Sequence, residues 1–248
     1  MPIVGANGLG FHVTELGAGP AVVMAHGLLI GTLASWYFTA APALARAHRV
    51  RLYDLRGHGL SDKPKTGYDL ATMSADLGAL TADLDRFDLV GHSWGALVAL
   101  RFAIDHPERV GRLAIVEAPL PPSRFADEQK LFASTPDEMI DALPPALRDA
   151  VAGGRRQAGK LLASLKFLAY ESSLLADLRA TGDFLDEDLA KIRAKTLLLY
   201  GSRSSCRGAG DRLATRIPGA ELQILDGGHY LHLDAKDAIS EALEAHLA

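Results

Sequence analysis

Short apolar runs alternate with amphipathic helical stretches along this chain, and this alternation limits its possible folds more than any other feature. Runs rich in Val, Leu and Ile are typical of strands buried on both faces, and parallel strands need a helical crossover between them. The dipeptide Asn7-Gly8 favours a tight hairpin turn, so we expect the sheet to open with an antiparallel pair. We predict a mainly parallel, eight-stranded sheet with strands at 2–6, 9–16, 21–25, 50–53, 88–90, 113–116, 196–200 and 222–225.

One long stretch interrupts the alternation. Between 119 and 190 the sequence contains helical patterns but no convincing strand. Prolines at 119, 121 and 122 end the preceding strand, and a stripe of leucines further on either packs on the core or walls a pocket. We predict that 1–118 and 191–248 form an α/β core and that 119–190 form a helical lid. The predicted core helices are 33–45, 70–84, 94–105, 209–216 and 235–247.

Length and composition favour one globular unit. The 248 residues, 48% of them apolar, are enough for one sizeable core. A net charge of −4 with scattered basic residues gives no electrostatic footprint for nucleic acid. Cys206 is the single cysteine, the N-terminus lacks a signal-peptide pattern, and no apolar run approaches the roughly 20 residues of a membrane span. We therefore expect a soluble, cytoplasmic protein with no nucleic-acid or membrane partner.

Residues 91–95, Gly-His-Ser-Trp-Gly, carry the strongest signal for chemistry. They follow the predicted strand 88–90 and open the predicted helix 94–105. A serine exposed on a sharp strand-to-helix turn is a nucleophile elbow, and the flanking glycines have a steric reason because the backbone packs closely there. A glycine-rich turn of no function also fits the pentapeptide, but the flanking strand and helix favour Ser93 as a nucleophile.

A serine hydroxyl needs a base, and the base needs a group that orients it. His229 follows Gly227-Gly228 directly after the last predicted strand. Sites in open α/β sheets lie at the carboxyl ends of the strands, where this loop is expected. We therefore predict that His229 is the base, although without Ser93 it would be taken for a solvated loop histidine.

Several motifs together resemble the α/β-hydrolase family over nearly the full chain. His26-Gly27 resembles the family's oxyanion loop, 54–61 resembles its D-x-R-G-x-G-x-S turn, and the elbow and Gly228-His229 follow in family order. The resemblance implies an α/β-hydrolase fold, a mainly parallel eight-stranded sheet flanked by helices with a helical lid inserted after the sixth strand. It also implies that the backbone N–H groups of Leu28 and Trp94 form an oxyanion hole.

The sequence departs from the family in its acid. Family members usually carry an aspartate shortly after the glycine that ends the penultimate strand, and here Ser204 stands in that place. Glu117 ends the strand after the nucleophile helix, which resembles the acid position of some haloalkane dehalogenases, certain epoxide hydrolases and zearalenone-type lactonases. We predict that Glu117 is the relocated acid, with Asp211 as its rival.

The hypothesis is a serine hydrolase that cleaves an ester, lactone or thioester of a largely apolar small molecule through an acyl-enzyme on Ser93. No cofactor is needed, and the histidines show no metal-ligand spacing, so no metal is expected. A serine nucleophile disfavours dehalogenase and epoxide hydrolase chemistry, which uses an aspartate in this fold. Aromatic residues are the weaker candidates for the pocket lining: Trp36, Tyr37, Phe132, Phe167 and Tyr170.

Three other functions stay open at the level of sequence. Carbon–carbon bond hydrolysis of diketones uses the same fold and serine. A cofactor-independent dioxygenase resembles this fold, keeps a serine and a histidine, and places an acid after the same strand. A small-molecule receptor on the same scaffold would bind without turnover, and it has little need for a serine, a base and an oxyanion hole together.

Overall fold

Eight strands form a single sheet in the computed structural model, which describes residues 2–123, 135–141 and 145–248. The strand order is β1-β2-β4-β3-β5-β6-β7-β8. Strand β2 is antiparallel to both of its neighbours, and the other pairs are parallel. This confirms the predicted fold class. The strands are β1 (Ile3–Ala6), β2 (Leu9–Leu16), β3 (Ala21–Ala25), β4 (Arg49–Tyr53), β5 (Phe87–His92), β6 (Val110–Val116), β7 (Lys195–Gly201) and β8 (Glu221–Leu225).

Helices join the strands and differ from the prediction in one core region. The predicted helix 33–45 is divided into α1 (Ala34–Tyr37) and α2 (Ala41–Leu44). Pro42 explains the break, since proline has no N–H to donate and its ring crowds the preceding turn of a helix. The other core helices are α3 (Leu70–Leu80) and α4 (Trp94–Asp105), and after β7 they are α10 (Arg207–Arg216), α11 (Leu231–Asp234) and α12 (Lys236–Leu247).

The segment between β6 and β7 contains helices and no strand among its described residues. Leu165, Leu168, Leu174 and Leu178 are fully buried in the core, so most of its apolar stripe serves packing. Leu161 is half-buried and lines a cavity. The elements here are α5 (Pro136–Asp141), α6 (Pro145–Ala152), α7 (Arg156–Lys166), a π-helical turn (Phe167–Glu171), α8 (Leu174–Ala180) and α9 (Asp186–Leu189).

The sheet is covered on both faces by apolar side chains. One core cluster joins the sheet to α3, α4, α10 and the helices between β6 and β7. The other joins it to α1, α2 and α12. Among the residues that the structure describes, no helix is both long and apolar enough to cross a bilayer.

Asp54 ties together the loops beside the carboxyl ends of the strands. It is buried, and it accepts hydrogen bonds from Leu33 N (2.8 Å), Leu60 N (2.9 Å) and His12 Nδ1 (2.7 Å). Gly59, at φ 50°, comes so close that a Cβ atom there would lie 2.0 Å from Asp54 Oδ2. The 54–61 turn therefore serves as a scaffold for the loops around the site.

Replacing Asp54 with alanine is expected to lower the free energy of unfolding by about 1.5–4.5 kcal/mol. The buried N–H of Leu33 would lose its acceptor at a cost of roughly 1–3 kcal/mol, and the part-buried N–H of Leu60 would lose a hydrogen bond worth about 0.5–1.5 kcal/mol. Urea denaturation followed by circular dichroism measures the change. Asp85→Ala at an exposed turn is the matched control and should stay within about 0.5 kcal/mol. A loss below about 1 kcal/mol for Asp54→Ala would contradict this role.

Candidate active site

Ser93 lies on a strained turn between β5 and α4. Its backbone has φ 54° and ψ −122°, a combination that costs a non-glycine residue on the order of 1–3 kcal/mol. Both flanking glycines are sterically required. A Cβ atom on Gly91 would lie 2.4 Å from Gly95 O, and one on Gly95 would lie 2.4 Å from His26 O. The turn thus has the geometry of a nucleophile elbow.

His229 lies within hydrogen-bond reach of Ser93. It is on the loop between β8 and α11, and its Nε2 is 2.9 Å from Ser93 Oγ. The two residues come from loops at the same end of the sheet, as predicted. This is the distance at which a base can take a proton from a hydroxyl.

Glu117 reaches the other nitrogen of the same ring. Its Oε2 lies 3.1 Å from His229 Nδ1, directly after the end of β6. Glu117 is fully buried and has φ 57°, a left-handed backbone that is uncommon outside glycine. A carboxylate only accepts, so Nδ1 donates to it, and the neutral ring then directs its Nε2 lone pair to Ser93 Oγ. The structure therefore brings Ser93, His229 and Glu117 together in one chain of contacts.

Ser204, which stands in the sequence where the family aspartate was expected, contacts the carboxylate of Glu117. Ser204 donates its hydroxyl to Glu117 Oε2, and Gly201 N–H donates to Oε1. Ser204 Oγ in turn accepts from Cys206 N at 3.0 Å. The rival acid, Asp211, is exposed on α10.

His92 positions the loop that carries His229, through a contact that the sequence did not reveal. The His92 ring is buried beside Ser93, and its Nε2 donates to the His229 carbonyl oxygen at 2.9 Å. Burial, together with the nearby His232 and His229, holds the pKa of His92 well below its usual value. A neutral imidazole with its proton on Nε2 fits this bond, because a carbonyl only accepts.

The surroundings of His229 favour its protonated form. Burial lowers the pKa of His229, but hydrogen bonds with Cys206 and Glu117 outweigh that effect and raise the pKa to about 9. Cys206 Sγ lies 3.5 Å from Nδ1. Proton transfer from Ser93 to His229 is therefore strongly assisted, while the neutral base is depleted at low pH.

The loop expected to supply part of the oxyanion hole packs against the elbow. A Cβ atom on Gly27 would lie 3.0 Å from Ser93 Cβ. Leu28 lines a small cavity of about 110 Å³ together with Ser93 and His229. Trp94 is the first residue of α4, where the helix dipole is positive and favours an anion. Both residues are therefore placed next to the nucleophile, and their role as donors stays a prediction.

A larger cavity of about 780 Å³ adjoins the small one. The two share the loop residues Leu29, Ile30 and Gly31. The larger cavity lies between this loop, α1, the 54–61 turn and α7, and most of its lining is apolar. The small cavity at the nucleophile and the larger, mostly apolar cavity thus border the same loop.

The aromatic residues proposed for the pocket fall in different places. Tyr37 lines the larger cavity, whereas Trp36 is fully buried in the core and donates from Nε1 to Ala25 O. Phe167 packs partly buried against the core, and Tyr170 is exposed. Phe132 lies outside the described residues.

Among the described residues, one group of side chains could hold a metal ion. Glu117, Cys206 and His229 place an oxygen, a sulfur and a nitrogen within 4.8 Å of one another.

Comparison with known proteins identifies the family of this chain. A sequence model of the alpha/beta hydrolase fold family matches residues 20–169. The chain belongs to this family. It is 30% identical to a 2-hydroxy-6-oxo-2,4-heptadienoate hydrolase of Pseudomonas putida over 246 residues, which cover 97% of this chain and 76% of that protein.

Two further relatives show the breadth of the family. A soluble epoxide hydrolase of Corynebacterium is 40% identical over 115 residues, but the match covers only 45% of this chain and 39% of that protein. A solved structure of an N-acyl homoserine lactone degrading enzyme superposes with a TM-score of 0.75 at 25% identity, covering 98% of this chain and 99% of that one. These similarities place the chain among the hydrolases of this fold.

Glu117→Gln is expected to lower kcat on the order of 10⁴-fold, because the amide cannot stabilise the imidazolium that forms on His229. Asp211→Asn, at the rival position, should stay within about twofold of the unmodified protein, as exposed substitutions usually do. Steady-state rates at saturating substrate compare the two variants. A Glu117→Gln enzyme with nearly full activity would remove Glu117 from the mechanism.

The pH profile of kcat/KM is expected to have an acid limb near pH 9. Ser93 needs a neutral His229, and a raised pKa means that the neutral form is lost as pH falls through about 9. Below that value, kcat/KM should fall about tenfold per pH unit. Initial rates in overlapping buffers measure the profile. A plateau extending below pH 7 would show that His229 keeps an ordinary pKa.

Proposed function

We propose that the protein is a serine hydrolase that cleaves a carboxylic ester, lactone or thioester of a largely apolar small molecule. The observation that carries this proposal is the chain of contacts from Ser93 Oγ through His229, at 2.9 Å, to Glu117, at 3.1 Å. Base, nucleophile and orienting acid act as a unit, and this arrangement occurs on several unrelated folds for acyl transfer.

In the proposed reaction, Ser93 Oγ attacks the substrate carbonyl carbon while His229 Nε2 takes the hydroxyl proton. The negative charge on the carbonyl oxygen is stabilised by the N–H groups of Leu28 and Trp94, each worth roughly 3–4 kcal/mol in a well-formed oxyanion hole. His229 then gives its proton to the leaving group. A water molecule, activated by the same base, hydrolyses the acyl-enzyme.

The larger cavity supports an apolar substrate. Tyr37, Phe38, Leu60 and Leu161 contribute apolar lining, and Phe38 and Leu60 are exposed at its surface. Lys160 and Ser164 on α7 line it as well. We therefore assign the 119–190 insertion as a lid that walls the substrate cavity through α7. The cytoplasmic location stays a prediction from composition.

Carbon–carbon bond hydrolysis of diketones is the second candidate. The Pseudomonas putida relative, named as a 2-hydroxy-6-oxo-2,4-heptadienoate hydrolase, supports it because the match covers nearly all of this chain. Epoxide opening is less well supported, since the elbow carries Ser93 where epoxide hydrolases of this fold carry an aspartate.

Hydrolysis of p-nitrophenyl esters tests the proposal. We expect turnover of both acetate and octanoate esters, abolished by Ser93→Ala, with octanoate preferred. Leu161→Trp narrows the larger cavity and should lower kcat/KM for octanoate about tenfold or more, since each buried methylene is worth about 0.8 kcal/mol. Acetate turnover should be kept. Leu185→Trp, at an exposed position outside the cavity lining, is the matched control.

Three results would contradict the proposal. Turnover of a ring-cleavage diketone without ester turnover would favour the carbon–carbon hydrolase. Oxygen uptake with a quinolone-like substrate would indicate a dioxygenase. A folded protein whose Ser93 is not labelled by a fluorophosphonate would indicate a receptor.

A further inference from the structure

Cys206 contributes a thiol beside the candidate triad that the proposed reaction does not use. It precedes α10, and its Sγ lies 3.5 Å from His229 Nδ1. Glu117 Oε2 lies 3.1 Å from the same nitrogen. A sulfur and an oxygen therefore both lie close to His229 Nδ1, the ring nitrogen that does not face Ser93.

The two distances that meet at His229 Nδ1 are close to the edges of a zinc tetrahedron, and all three ligand atoms lie within 4.8 Å of one another. Bond lengths of about 2.3 Å to sulfur and about 2.0–2.2 Å to nitrogen and oxygen imply edges of about 3.6 Å between S and N and about 3.4 Å between N and O. The distances in the protein, 3.5 Å and 3.1 Å, differ from these edges by a few tenths of an ångström. The set of one thiolate, one imidazole and one carboxylate favours Zn²⁺ over Mg²⁺ or Ca²⁺, which prefer oxygen ligands.

The surroundings of the three ligands also suit an ion. Cys206 is half-buried and the His229 side chain is 20% exposed, so these two ligands can be reached from solvent, whereas Glu117 is buried behind them. Glu117 is held in place by Ser204 and Gly201, which would act as the outer hydrogen bonds that orient a ligand. A thiolate and a carboxylate together balance the charge of Zn²⁺. Water would complete the tetrahedron, as it does where a protein supplies three ligands.

We propose that Glu117, Cys206 and His229 form a Zn²⁺ site whose occupation switches the hydrolase off. The inhibitory part rests on the proposed function, and the binding site does not. On binding, the Cys206 thiol and the protonated Nδ1 of His229 each release a proton to water, and the freed Nδ1 lone pair binds the ion while Nε2 keeps its proton. The neutral ring then carries its one proton on Nε2. Nε2 can no longer take the proton of Ser93, so the base is removed from the reaction.

Metal binding can be measured separately from activity. Metal-free protein is titrated with Co²⁺ and followed by absorption, and with Zn²⁺ by isothermal titration calorimetry. We expect a thiolate-to-cobalt charge-transfer band in the unmodified protein and in Ser93→Ala. Cys206→Ser should lose the band and bind Zn²⁺ at least about tenfold more weakly, since even outer-shell changes cost 10–100-fold in metal affinity. Ser205→Ala, at the neighbouring exposed position, is the matched control.

Inhibition is then measured as the ester-turnover rate with Zn²⁺ divided by the metal-free rate of the same variant. We expect Zn²⁺ to inhibit ester turnover, a chelator to restore it, and Cys206→Ser to need at least about tenfold more Zn²⁺ for the same inhibition. Equal inhibition of Cys206→Ser and the unmodified protein, binding without inhibition, or absence of the cobalt band would overturn the proposal. If the Cys206-dependent band forms but no ester is turned over, the site stands and the proposed function fails.

Discussion

Close backbone packing at the carboxyl end of β5 is the constraint on which the rest of the site depends. Gly91 lets the start of α4 approach β5. Gly95 lets the same helix approach the carbonyl of His26, which lies in the loop directly after β3. The same compactness holds Gly27 against Ser93. A side chain at Gly91 would push α4 away from β5, and one at Gly95 or Gly27 would separate the elbow from the loop after β3. The backbone strain at Ser93 is the cost of exposing the hydroxyl.

The relocated acid follows from the order of the strands. Strand β6 lies between β5 and β7, so its end is adjacent both to the elbow and to the loop where the family aspartate was expected. Glu117 extends from β6 and receives the hydroxyl of Ser204 and the N–H of Gly201 beyond β7. A serine there is a hydrogen-bond donor, so it binds a carboxylate that an aspartate in the same place would repel. The substitution at 204 and the acid at 117 are thus physically consistent with one another.

Much of the fold could be predicted from sequence because local patterns determine it. The hairpin at Asn7-Gly8, the eight strands and helix α4 all follow from turn chemistry and apolar periodicity. The division of 33–45 was missed because periodicity outweighed Pro42 in the prediction. The contacts of His92 and Cys206 with His229 could not be predicted, since they join residues far apart in the chain and depend on how the loops beyond β5, β7 and β8 are placed.

Two competing uses of one nitrogen follow from this arrangement. Nδ1 of His229 must carry a proton toward Glu117 for the ring to act as a base, yet the same nitrogen, once deprotonated, is the central ligand of the proposed zinc site. Residue 204 is a neutral serine, and the carboxylate comes from Glu117 at the end of β6. The loop after β7 can therefore bring the Cys206 thiol close to Nδ1 without adding a second carboxylate beside Glu117. With the acid at Glu117 instead of residue 204, Cys206 can lie beside His229 as a second candidate ligand. The geometry that orients His229 for catalysis is also the geometry that would let an ion hold it in the wrong tautomer.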